Sequence, residues 1–126
     1  MTSYGEERRR FPRLDIRIFS ISIVVKSFSG EPIEIYPKDI GIGGISFKTD
    51  VALKRKDQLK LMIGLPSNPL PERVLAQVVW THIRDTSSPG GRIWYDIGVE
   101  FLDVSGDCRS ELENLIEEDI KRRKNQ

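Results

Sequence analysis

Ile93, Tyr95, Ile97, Val99 and Phe101 alternate without a break against Trp94, Asp96, Gly98 and Glu100. A period of two is what a half-buried β-strand needs, because successive side chains leave opposite faces of the backbone. The same signature recurs upstream, in Leu59, Leu61, Ile63 and Leu65 and in Ile45, Phe47 and Thr49. Leu14, Ile16 and Ile18 keep one parity, then Phe19, Ile21, Ile23 and Val25 keep the other, a switch that predicts a β-bulge between Ile18 and Phe19. After the turn residues Ser29, Gly30 and Pro32, Ile33 and Ile35 predict a short second strand ending at Pro37, and the glycines of Asp39 to Gly44 predict an entry turn into a third. Residues 73 to 84 carry apolar side chains on both parities, as a central strand covered on both faces would. PSNPLP and DTSSPGG supply the remaining breaks.

Beyond Gly106 the period changes. Cys108, Leu112, Leu115, Ile116 and Ile120 fall on one helical stripe, with Asp107 and Glu111 at its start and KRRK at its end, the charge order that suits a helix dipole. The expected fold is therefore all-β with a C-terminal helix, a six-stranded antiparallel barrel, closed or nearly so, that leaves few exposed strand edges. A chain of 126 residues suits one domain. Residues 1–13, Arg-rich and almost free of aliphatics, are expected to form a flexible basic arm, and residues 14–126 the single barrel domain.

Several function classes are disfavoured at once. Twenty Lys and Arg against nineteen Asp and Glu leave a net charge of +1, so any electrostatic function must be local and nucleic acid is not the expected partner. The opening MTSYGEERRRFPRL lacks the apolar stretch of a secretory signal, and no run suits a membrane span, so a cytoplasmic protein without membrane insertion is expected. Cys108 is the sole cysteine and His82 the sole histidine, which rules out an internal disulfide and a Cys/His zinc site. A catalytic triad would have to use His82, which lies within a strand-like run, so an enzyme is not expected.

Two local features carry chemistry. Arg8, Arg9, Arg10 and Arg13 place four guanidiniums within six residues, with Arg9 and Arg13 spaced as RxxxR around Phe11 and Pro12. Planar guanidinium forks match phosphate oxygens and also the O6 and N7 edge of guanine, and Pro12 restricts the arm between them. In Asp39-Ile40-Gly41-Ile42-Gly43-Gly44, glycine permits close backbone approach to a ligand, and Asp39 offers a carboxylate to the N1 and N2 donors of guanine. A strand and not a helix follows, so this is not the dinucleotide fingerprint of the GxGxxG kind.

In order and spacing these features resemble the PilZ family of cyclic di-GMP receptors. ERRRFPRLDIRI is similar to the family's opening, with Arg9 and Arg13 at its RxxxR positions, and DIGIGG is similar to its (D/N)xSxxG motif, with Asp39 and Gly44 in place. VVWTHIRD, WYDIGVEFLDVS and the closing helix also resemble its final strands and tail. The resemblance implies a six-stranded barrel with a C-terminal helix, cyclic di-GMP as ligand without another cofactor or metal, and ligand contacts from Arg8, Arg9, Arg13, Asp39, Gly41 and Gly44. It further implies an effector that signals to a downstream protein in motility or exopolysaccharide control. Gly41 stands where the family has serine, so one hydroxyl is missing. A single neutral hydrogen bond is worth ~0.5–1.5 kcal/mol against ~1.5–3 for a charged one, which predicts weakened rather than abolished binding. The alternative is a PilZ-like protein-interaction module that has lost the nucleotide. Arg8, just before RxxxR, resembles the arginine that accompanies a stacked ligand dimer in the family. Trp94, on the parity opposite Tyr95, is expected to pack beneath the helix against Leu112 and Leu115.

Overall fold

In the computed structural model, residues 13–16, 19–85 and 89–124 are described. They form eight strands, β1 (Leu14–Asp15), β2 (Ser22–Ser27), β3 (Pro32–Ile33), β4 (Tyr36–Ile40), β5 (Gly44–Thr49), β6 (Gln58–Gly64), β7 (Glu72–Asp85) and β8 (Trp94–Asp103), followed by helix α1 (Gly106–Lys124). One antiparallel sheet runs in the order β1-β4-β5-β8-β7-β6-β2-β3 and curls into a half-barrel, with β1 and β3 at its edges. This differs from the expected six strands in a closed or nearly closed barrel. The two extra strands have two residues each, and both come from runs that the alternation pattern treated as continuous.

The parity switch after Ile18 is the first such place. Leu14 and Asp15 pair with Ile40 and Asp39 at one edge of the sheet, whereas Ser22 onward pairs with β6 near the other. Between them Ile16, Phe19 and Ser20 lie in turns, Ser20 with a φ of 55°, so the chain changes sheet edge where a bulge was expected. Residues 17 and 18 are outside the described set. The second place is Pro32 to Ile40. Ile33 pairs with Val25, but from Tyr36 the chain pairs with β5 instead, and Asp39 and Ile40 belong to β4 rather than to the glycine turn. Pro37 lies where β4 has passed the end of β1, so its missing N–H interrupts no strand pairing on that side.

β7 takes the interior position expected for residues 73 to 84. Val74, Ala76 and Val78 enter the core, but the opposite face is only partly covered, with Leu75, Val79 and Trp80 half-buried. The core is lined by residues of seven strands, among them Leu14, Val25, Ile40, Phe47, Leu61 and Ile97, and closed by Cys108, Leu112 and Ile116 of α1. Each such side chain contributes roughly 1.5–3 kcal/mol by leaving water. Ser105 caps the helix: its Oγ accepts from the Cys108 N–H at 3.1 Å and donates to the Glu72 carboxylate at 3.2 Å. No helix among the described residues is long and apolar enough to cross a membrane.

Burial pushes the Cys108 thiol up from its ordinary 9.0 to about 11, helped by the nearby charges of Glu72 and Glu111. The native thiol should therefore react slowly with a disulfide reagent near neutral pH and fully in denaturant, as absorbance of the released thiolate would report. The folded state holds this proton more tightly than the unfolded one. Its stabilising contribution is complete below about pH 9 and is lost as the pH rises toward about 11, which denaturant midpoints across that window would measure.

Candidate functional site

Counting outward from the turn at Ile42 and Gly43 places Gly41 opposite Gly44, Ile40 opposite Ile45 and Asp39 opposite Ser46. The Gly41 N–H donates to the Gly44 carbonyl at 2.9 Å and closes this hairpin. A Cβ on Gly44 would run into the backbone carbonyl of Val99, so glycine is required there by the close approach of β5 to β8. The glycines with left-handed φ among the described residues are Gly30, Gly90 and Gly91, and Gly41 is not one of them.

Alternation then puts Asp39 and Ser46 on the outer face of the sheet. Asp39 Oδ1 accepts from Arg13 Nε at 2.6 Å and from Ser46 Oγ at 2.9 Å, and Arg13 Nη2 also donates to the Gly44 carbonyl at 3.3 Å. The second arginine of RxxxR and both ends of DIGIGG are thus brought into one contact. Arg8 and Arg9 lie outside the described residues. Ser46 was not anticipated, although counting across the hairpin would have found it. It supplies a hydroxyl to the Asp39 carboxylate in a motif that lacks serine at Gly41.

The Asp39–Ser46 row continues across the sheet through Gly98 to Trp80, whose indole lies where a Cβ on Gly98 would sit. The next row is Tyr36, Lys48, Asp96 and His82. His82 is exposed and its ring lies 5.2 Å from that of Trp80. A groove of about 550 Å³ opens along these rows, lined by Arg13, Asp15, Tyr36, Pro37, Lys38, Asp39, Lys48, Arg84 and Arg123. Five cations and two carboxylates line it, and two further carboxylates, Asp96 and Asp119, pair with three of those cations from beside it.

Several of these cations are held in place. Asp96 takes Lys38 Nζ at 3.3 Å and Arg84 Nη1 at 3.1 Å. Arg123 reaches the groove from the end of α1 and pairs at 2.9 Å with Asp119, which is buried and also takes Arg122 at 3.3 Å. The KRRK run therefore does more than complement a helix dipole. Its contribution was hidden in the sequence because helix phase decides which arginine faces the sheet. Trp94 corrects another expectation: its ring meets Tyr36 edge-on at 5.7 Å and 65°, beneath the Lys48 ammonium, instead of packing under the helix. The helical stripe is occupied by the core around Leu14 and Ile16, leaving Leu112 and Leu115 no need of the indole.

Comparison with known proteins agrees with this fold. The complex of K. pneumonia MrkH with c-di-GMP superposes with a TM-score of 0.66 at 21% identity, covering 94% of this chain and 55% of that one. The PilZ domain of Escherichia coli YcgR with c-di-GMP gives 0.60 at 16%, covering 94% and 98%. Bacillus subtilis MotI, an inhibitor of motility, gives 0.63 at 16%, covering 100% and 58%. The chain spans about half the length of MrkH and of MotI, and at these identities the likeness is one of fold. No curated protein matches it by sequence. The PilZ domain model matches residues 7–118, the whole curled sheet and most of α1, and the chain belongs to the PilZ domain family.

Proposed function

We propose that this domain is a receptor for cyclic di-GMP that signals by a local change at the groove to a protein partner. The observation that carries the reading is the ion pair between Arg13 and Asp39, 26 residues apart in sequence, at the edge of a cation-lined groove. A guanidinium fixed by a carboxylate loses little further freedom on meeting a phosphate or a guanine edge. The YcgR and MrkH structures with c-di-GMP support the choice of ligand. Arg8 and Arg9 provide further guanidiniums, Gly41 and Gly44 allow close approach, and Arg123 adds a cation from the end of α1. The role is binding rather than catalysis.

Calorimetric titration with cyclic di-GMP, with GTP as control, should give a selective isotherm that weakens with added salt. Arg13→Ala should lower affinity roughly ten- to hundredfold, the range for one or more charged hydrogen bonds at ~1.5–3 kcal/mol each. The domain should stay folded, since an ion pair left partly open to water contributes only about 0–1 kcal/mol. A flat trace for the wild-type domain would instead favour an interaction module without nucleotide.

Gly41→Ser restores the family's hydroxyl at a position free of left-handed strain. Gly41 is buried, so affinity and melting temperature are measured together: where the melting temperature holds, affinity should rise by up to about tenfold. Equal affinity in an equally stable variant would place position 41 away from the ligand. Arg13 is already paired with Asp39, so docking of the preceding residues 6–12 over the groove is the proposed signal; amide exchange in that segment should slow on adding cyclic di-GMP, and exchange unaffected by saturating ligand would refute it.

A further inference from the structure

Among the described residues, four of the five groove cations have a carboxylate within ion-pair distance: Arg13 has Asp39, Lys38 and Arg84 share Asp96, and Arg123 has Asp119. Lys48 is placed differently. Its ammonium lies 5.0 Å from the Trp94 ring centroid and 5.4 Å from that of Tyr36, and the two rings meet edge to face. Tyr36 is 48% exposed and Trp94 partly so, although rings of this size gain most from burial. Tyr36 and Lys48 both line the groove. An aromatic ledge capped by a cation thus sits along the same groove as the Arg13–Asp39 contact.

We propose that Tyr36, Lys48 and Trp94 form a second nucleobase subsite, in which a phosphate draws the Lys48 ammonium off the rings and a purine stacks on the uncovered aromatic surface. This rests on the receptor reading and deepens it by assigning the ligand's second base. An exposed cation–π contact is weaker than a charge-assisted hydrogen bond to phosphate, so an anion in the groove wins the ammonium. Every base has a π-face, so the ledge accepts a purine without reading its edges. The rows of Asp39 and Tyr36 are two residues apart along β5, from Ser46 to Lys48, which is ~7 Å at strand rise. That separation lies within the span of a cyclic dinucleotide whose other base is held at Asp39.

The test is calorimetric titration with cyclic di-GMP of the wild-type domain and of the Trp94→Ala, Trp94→Phe, Lys48→Met and Arg13→Ala variants, each checked for an unshifted melting temperature. Trp94→Ala should weaken binding roughly five- to hundredfold, the span for loss of one base–aromatic stack. Trp94→Phe should recover most of it. Lys48→Met should weaken binding roughly tenfold and flatten its dependence on salt. In Trp80→Phe protein, Trp94 is the sole tryptophan, and its emission should change with the calorimetric midpoint. Binding lost in Arg13→Ala yet unaltered in Trp94→Ala and Lys48→Met overturns the second subsite and leaves the receptor reading standing. A wild-type domain that gives no isotherm overturns both.

Discussion

Asp39 holds two donors on one carboxylate oxygen, Arg13 from the start of the described chain and Ser46 from the neighbouring strand. It also pairs through its backbone with Asp15 in β1. The edge strand has only two residues, so this junction is where the incoming chain is fixed to the sheet. The pair is one-fifth to one-third exposed, so its direct contribution to stability is small. Its importance is geometric: it holds Arg13, the last arginine of the basic run, against the outer face of the sheet beside the groove.

The groove follows from β register. Asp39, Ser46, Gly98 and Trp80 form one row and Tyr36, Lys48, Asp96 and His82 the next, because the four strands keep their outer faces aligned despite bulges at Pro37/Asp39 and Val78/Trp80. Glycine is needed twice in this packing. At Gly44 it admits the backbone of β8, and at Gly98 it admits the Trp80 ring. Asp96 and Asp119 orient three of the groove's basic side chains, so much of its charge is organised before a ligand arrives.

Local patterns made the long strands, the helix and the glycine turn before β5 legible in the sequence, since each depends on periodicity or on glycine within a few residues. The pairing partners of Leu14 and Ile33 were not legible, because alternation records which face a residue takes and not which strand lies beside it. The same limit applied to the site. Arg13, Asp39 and Gly44 could be named from adjacent motifs, whereas Arg84, Arg123 and Lys48 reach the groove only through tertiary placement. Trp94 was misassigned for a related reason: its parity put it outside the core but could not say whether the helix or Tyr36 lay there.

The edge strands carry a consequence for behaviour in concentrated solution. A sheet that does not close offers backbone donors and acceptors to any incoming strand, and long flat edges seed polymers. Here β1 and β3 present two residues each, and β3 begins with Pro32, which has no N–H to give. Such margins resist end-on growth into fibrils while leaving the broad faces of the half-barrel open for recognition. The domain can thus remain dispersed without a fully sealed barrel.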